Sequence, residues 1–468
     1  MCNTIRTLYE EDWDEKSKLW IRSSKRKCTK RGFKMVAAEP HWYRLYYWYW
    51  LLSRFRNRGK NYRPCNRNLL FVSGDWNLCG ISFFSNDDTE DPQEGSFCYY
   101  AGKAFGRWGG FSCGWNYWIS KILIIGSQLT ALAILSRFWF PKVPLWVFAA
   151  GYAVLSIIVV FLGTKGFDKV ENVLAVTKTA AILMFIVLAI VALVGWVHGG
   201  DTHQPGMPNS LHDLFPKGGL AFWSSLLYAF YAFGGIEAIG LLSMQLENKE
   251  DAPKAGQIML IVLTIIYAIS MGLVVTMVSY EAIDEKESPF VTALSHYKLP
   301  FFPHVFNAAI ITAGFSTMTA SLFTVTNLLK TLAKDKDAPA IFEKEKKLFF
   351  GKEVPLPSLG LATLGLSASV VAALLLPGKI YAYITTAAGI LQMYIWAFII
   401  LSALKILKLK AWDKTLCILG LILLAAAVSG TIFEKSIRLG FFISLIFVAL
   451  ISLVTFIMTR VWKKAKTA

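Results

Sequence analysis

Ten apolar runs, each close to the roughly twenty residues a helix needs to cross a hydrocarbon core about 30 Å thick, recur through the last three quarters of the chain. They fall at roughly 110–136, 143–163, 173–197, 221–245, 256–280, 303–328, 357–377, 380–404, 414–432 and 439–459. Backbone N–H and C=O groups find no water in lipid, so runs of this length are predicted to be helices with their hydrogen bonds closed internally. With 55% hydrophobic and 17% charged residues, the composition matches a polytopic all-α membrane protein and excludes a soluble enzyme of ordinary make-up.

The net charge of +17 has to be read by position, because on a soluble chain it would suggest nucleic acid. Seventeen of the 48 Lys and Arg precede residue 69, and the others favour alternate loops. They cluster at Lys165 and Lys169, at Lys249 and Lys254, over 330–352, over 405–414 and in the tail 460–468, whereas 199–219 and 378–379 hold one each, Lys217 and Lys379. By the positive-inside rule the 330–355 loop and both termini face the cytoplasm, which places the protein in the cell membrane. The basic surface then meets acidic lipid, and no nucleic-acid partner is expected. Seven cysteines form no CxxC pair or metal-ligand spacing, so neither disulfide, metal nor cofactor is expected.

One run departs from a plain anchor. In LLYAFYAFGGIEAIGLLSMQL, residues 226–246, a glycine pair at Gly234 and Gly235 weakens the helix beside Glu237, a carboxylate at bilayer depth that costs about 2.5–3.5 kcal/mol on insertion scales. Such a break lets freed backbone groups and half-helix ends face a bound ion or zwitterion, whereas a tight small-residue helix contact with Glu237 near an interface is the structural alternative.

Residues 1–34 form a basic cytoplasmic tail, with no apolar core for a cleavable signal peptide. The stretch 35–88 fits nothing that follows: MVAAEPHWYRLYYWYWLLSRF is loaded with Trp and Tyr, and LLFVSGDWNLCGISFF is broken at its middle by Gly74, Asp75, Trp76 and Asn77. An interfacial aromatic segment is one reading of it. From Asp91 the character changes. DPQEGSFCYYAGKAFGRWGGFSCGWNYWISK leads from a Gly-rich loop into a long helix, and this pattern resembles the segment that introduces the third span of amino acid permeases in the amino acid, polyamine and organocation (APC) superfamily. Two further stretches carry the same resemblance: FYAFGGIEAIGLLSMQLENKEDAPKA, similar to the sixth span and the loop after it, and NLLKTLAKDKDAP, similar to the end of the eighth.

The resemblance covers about residues 90–468 and implies an APC-type fold of two inverted five-helix repeats with two extra C-terminal helices, its first and sixth spans discontinuous at the midplane. The transmembrane domain is then 89–459, followed by the tail 460–468. The ten runs supply this fold from the third span on, so the first two spans are the ones disrupted, over 35–88. The genetic code offers a reason. Tyr47, Trp48, Tyr49 and Trp50 are encoded TAY-TGG-TAY-TGG, which one base later reads Ile or Thr, Gly, Ile or Thr, Gly. Codons exist for which residues 35–52 become WWQLSLIGIGCTIGTGYF, like the family's first-span signature. A single-base change near Lys34, compensated near Asp88, accounts for the anomaly, and a divergent N-terminal segment is the alternative.

The resemblance also implies a function: an amino acid permease working by alternating access, with an amino acid and a proton as partners within the bilayer. Phe233, Gly234, Gly235, Ile236 and Glu237 would form the substrate site, with Phe233 and Gly235 lining it. Glu237 either pairs with a cation or orients the broken helix, or serves as a structural partner to another span. Lys178 in the fifth span would couple the proton, near Ser316, Thr319 and Ser321 of the eighth; snorkelling to the cytoplasmic end is the alternative for Lys178. Lys121 in the third span is read as facing a water-filled cavity. Gln245, Glu247, Asn248 and Lys254 form an expected helix-end network, and Gln392 and Tyr394 line the outer pathway. Nucleophile elbow, P-loop and metal-ligand cluster are missing from the sequence, so catalysis is not expected. Without its first span the chain should transport poorly. A membrane sensor or interaction protein on the same scaffold is the reading of a different class, and the oligomeric state stays open.

Overall fold

Where a helix must hold its neighbours in lipid, apolar burial gives little drive, and small residues with interhelical hydrogen bonds take over. That principle organises the computed structural model. It describes residues 97–161, 163–193, 218–235, 237, 252–277, 288–295, 301–347, 353–375 and 380–467; the tail 1–34 and the anomalous segment 35–88 lie outside them.

Twelve α-helices are described: α1 (Phe97–Phe105), α2 (Arg107–Ser136), α3 (Leu145–Phe161), α4 (Gly163–Leu193), α5 (Gly218–Tyr231), α6 (Ala252–Met277), α7 (Pro289–Ser295), α8 (Phe302–Lys334), α9 (Leu356–Leu375), α10 (Ile380–Ile406), α11 (Ala411–Phe433) and α12 (Arg438–Thr467). Each of the ten apolar runs carries one of them. Two-residue strands β1 (Lys346–Lys347) and β2 (Glu353–Val354) pair antiparallel in the loop between α8 and α9. Six helices are long and apolar enough to cross a membrane among the described residues, and α2, at 83% buried over its apolar window, is the most enclosed. The corresponding window of α12 is 17% buried, and its Leu439, Phe442, Ile446, Leu450, Leu453 and Ile457 face outward, as a lipid-facing helix requires.

The central pair is α2 and α10. Asn116 Nδ2 donates to the Leu391 carbonyl at 3.1 Å and Ser120 Oγ to the Ala388 carbonyl at 3.2 Å, one helical turn apart on α2. Asn307 Nδ2 of α8 donates to the Leu135 carbonyl of α2 at 3.1 Å. These bonds fix both the spacing and the rotation of α2.

Two elements differ from the sequence reading. The Gly-rich stretch expected as loop contains α1, whose Phe97 ring meets Tyr117 edge-on at 4.8 Å between centroids. Its glycines serve close approach: a Cβ on Gly110 would come 3.1 Å from the Cys98 carbonyl oxygen and 3.3 Å from the Gly102 Cα. Gly106, at φ 84°, makes the sharp corner between α1 and α2. The second is α7, seven residues between longer spans and too short to show as an apolar run.

At one end of α2, Arg107 closes a clasp. Its Nε and Nη2 both lie 3.0 Å from Asp337 Oδ1, and Nη2 also reaches the Lys336 carbonyl at 3.1 Å. Trp115 Nε1 donates to the Asp337 carbonyl at 3.0 Å, and the Arg107 guanidinium lies 4.2 Å from the centre of the Trp462 ring on α12. Burial pushes the Asp337 carboxyl up to about 6 from its ordinary 3.8, outweighing the opposing pull of Arg107.

Candidate functional site

At the end of α5 the helical ladder tightens and stops. Ala232 N still reaches back four residues to the Tyr228 carbonyl at 3.0 Å, but Phe233 N and Gly234 N reach only three, to Phe230 and Tyr231 at 2.9 and 3.0 Å. Gly235 then takes φ 110°, a conformation glycine enters without a steric penalty and other residues do not. The described helix thus ends at Tyr231, just before the glycine pair.

Glu237 secures the turn. It is fully buried, and its Oε2 accepts the Gly235 N–H at 2.8 Å and the Trp396 indole N–H at 3.4 Å. Its Oε1 lies 2.9 Å from the ammonium of Lys121, a residue only 4% exposed. This corrects the expectation that Lys121 faces a water-filled cavity: Asn116 and Ser120, docked on α10, rotate α2 so that Lys121 points at the break. The ammonium also sits 4.9 Å from the Tyr117 ring centre. Glu237 thus bonds side chains of two other helices, Lys121 on α2 and Trp396 on α10, as well as the Gly235 amide of its own turn, contacts that fit a structural partner to other spans as well as a cation pair. An ammonium beside the C-terminal end of α5 is favoured by the helix dipole as well.

One face of α10 forms the opposite wall. Thr386 bonds Tyr228 Oη at 2.6 Å, Gly389 passes so close that a Cβ would stand 3.3 Å from Tyr231 Cδ2, and Gln392 Cγ would be 3.6 Å from a Cβ on Gly234. Trp396, a turn further on, reaches Glu237. Gln392 is 1% exposed, yet among the described residues neither its amide oxygen nor its nitrogen has a hydrogen-bond partner, and Asn116 Oδ1 is likewise buried without one there. Buried amides are satisfied in most proteins, which makes the Gln392 amide, next to Gly234, a candidate for a polar contact. Aromatic rings close the site: Phe233 packs on Tyr267 at 5.4 Å, and Phe230 on Trp396 at 6.5 Å.

Of the residues expected from sequence, Phe233, Gly234, Gly235 and Glu237 come together here, while Ile236 lies outside the described residues. Gln392, assigned to the outer pathway from sequence, stands at the break itself. Lys121 and Trp396 are the partners that sequence reasoning missed; the only signal for the former was a lone lysine in an apolar run. Ser316, Thr319 and Ser321 are buried on α8, where Thr319 Oγ1 donates to the Phe315 carbonyl at 2.8 Å. The backbone of Lys178 belongs to α4, which packs against α8 through Phe185 and Phe306 at 5.5 Å, but its side chain is outside the described set. Gln245, Glu247 and Asn248, with the side chain of Lys254, are outside it too.

The sequence model of the family described as "Amino acid permease" matches residues 88–468. The transporter YcgH of Bacillus subtilis (strain 168) is 50% identical over 368 residues, which is 79% of this chain and 81% of that one. An aromatic amino acid transport protein, AroP of Corynebacterium glutamicum, is 30% identical, over 76% of this chain and 81% of its own. Among solved structures, two crystal structures of the Eremococcus coleocola manganese transporter superpose with TM-scores of 0.54 and 0.56, each covering 92% of this chain and 96% of that one. At 13% and 12% identity, that likeness is one of fold.

Proposed function

The chain belongs to the amino acid permease family, whose members are multi-pass membrane transporters and not enzymes, and from that premise we propose that it carries an amino acid across the cell membrane at the α5 break. The single observation that carries the placement is the turn at Gly235, locked by a buried carboxylate and walled by the unsatisfied amide of Gln392. A zwitterion brings a carboxylate that needs N–H donors and an ammonium that needs carbonyls. The Gln392 amide can donate to the first, and the backbone carbonyls of Gly234 and Gly235 can accept from the second. Relatives named for aromatic amino acids, histidine and gamma-aminobutyric acid support the substrate class, and the aromatic wall suits an apolar side chain.

Coupling to protons is assigned to Lys178. Its backbone lies on α4, which is packed beside the hydroxyl-bearing helix α8. The inverted-repeat organisation makes the α5 break one half of a pair, with the other half in the first span. In this chain that span is carried by the shifted frame of 35–88. The family match starting at residue 88, where the frame is inferred to return, supports that placement. Uptake by the chain as written is therefore impaired, and both termini face the cytoplasm.

Radiolabelled amino acid uptake into cells expressing either the chain as written or a frame-restored version tests the reading. Restored uptake that rises with an inward proton gradient, and loses that dependence in Lys178→Met, is expected. Binding without uptake in the restored protein would favour a sensor, and robust uptake by the chain as written would contradict the impairment.

A further inference from the structure

The ammonium facing Glu237 comes from the protein itself. A carboxylate offers about four lone-pair positions. Among the described residues three donors occupy them, and Lys121 is the one among the three that carries a full charge; the Gly235 amide and the Trp396 indole only orient. Removing that ammonium would leave a fully buried anion beside the substrate position, held in place by two neutral donors. A second cation entering with Lys121 present would stand close to another ammonium in a poorly screened interior, where two like charges repel strongly.

We infer that Lys121 is a specificity-determining residue: it fills the cation position against Glu237, so the site admits amino acids with uncharged side chains and rejects those with cationic ones, such as lysine or arginine. The inference rests on the α5 break being the amino acid site. Three features support it. Lys121 sits on the most enclosed helix, its backbone is held by the Ser120 bond to α10, and its target is the carboxylate that shapes the substrate turn. A counter-charge placed merely for folding would have no need to end at the break.

Chemical rescue tests this on the purified full chain, and the amino acid arms are run on the frame-restored protein, each read by the thermal unfolding midpoint. Lys121→Ala removes three methylenes and the ammonium, the atoms of n-propylammonium. The variant should unfold at lower temperature than the native chain and be raised saturably by n-propylammonium. n-Propanol and tetramethylammonium, which lack the charge or the N–H, should fail, and so should n-propylammonium on Lys121→Ala combined with Glu237→Gln. L-Lysine should protect the single variant and leave the native chain unmoved. Should Lys121→Ala not fold, Lys121→Met keeps the volume of the stem and should bind L-lysine about tenfold more tightly than the native chain, the ratio equivalent to about 1.4 kcal/mol from one charge-assisted contact. Variants that answer to n-propylammonium and L-lysine no more than the native chain does would overturn the assignment. Rescue by n-propylammonium without a response of any variant to any amino acid would support the cation position and overturn the amino acid reading beneath the selectivity.

Discussion

Replacing Gly235 with alanine should damage the site more than the same change at its neighbour, and the two backbones say by how much. Gly235 holds φ 110°, where a Cβ strains the chain by about 1–3 kcal/mol. Relaxing to negative φ would turn its N–H away from Glu237 Oε2, now 2.8 Å off, and forfeit a charge-assisted hydrogen bond of about 1.5–3 kcal/mol. The chain adopts the less costly of these, so a loss of about 1–3 kcal/mol is expected by either route. Gly234 has no positive φ, and a Cβ there would meet the Tyr231 carbonyl oxygen at 3.2 Å and Gln392 Cγ at 3.6 Å, a fit that needs a shift of a few tenths of an ångström. Thermal unfolding of both variants, with substrate binding to the frame-restored protein, makes the comparison. Gly235→Ala should lower the midpoint clearly and Gly234→Ala only slightly. Equal effects, or a Gly235→Ala protein as stable as the native one, would refute the claim that the turn needs left-handed backbone.

Three other outcomes follow from the same geometry. Gln392→Leu removes two buried polar atoms that have no partner among the described residues, at little change in volume, and should raise stability by about 1–3 kcal/mol while lowering uptake by the restored protein; a thermal midpoint and a labelled uptake measured together check both. Gly430→Ala sets a Cβ 2.7 Å from the backbone oxygen of Trp223, which cannot swing aside, and should cost about 1–3 kcal/mol by forcing α11 off α5, as seen in the unfolding midpoint. The Asp337 carboxyl, raised to about 6 by burial, binds its proton more tightly folded than unfolded, so its contribution to stability is full below its ordinary 3.8 and is lost as pH rises through about 6. Arg107→Gln removes the charge that opposes this shift and should move the decline to higher pH in midpoints recorded from pH 4 to 8, whereas Asp337→Asn should abolish it.

The helices were legible because spanning length is a one-dimensional property: the ten apolar runs needed no knowledge of partners. The α5 break was legible for a similar reason, since Gly234, Gly235 and Glu237 are nearly adjacent and conflict with a plain span locally. What Glu237 pairs with was not, because Lys121 lies 116 residues away and its direction depends on how Asn116 and Ser120 seat α2 on α10. A lysine in an apolar run says that some compensation exists without saying which. The α1 stretch was misread because glycine serves both flexibility and close packing, and only the contact of Gly110 with Cys98 and Gly102 decides between them. Gln392 showed in sequence as a polar residue in a span, but its orphan amide is a property of its surroundings.

Counterflow tests the central claim, that an amino acid crosses at the α5 break, more directly than any binding assay. Proteoliposomes holding the frame-restored chain are loaded with unlabelled amino acids and diluted into tracer. The account predicts transient accumulation of label, strongly reduced in the chain as written and lost in Glu237→Gln at equal protein content. No exchange by the restored chain, or exchange unaffected by Glu237→Gln, would contradict it.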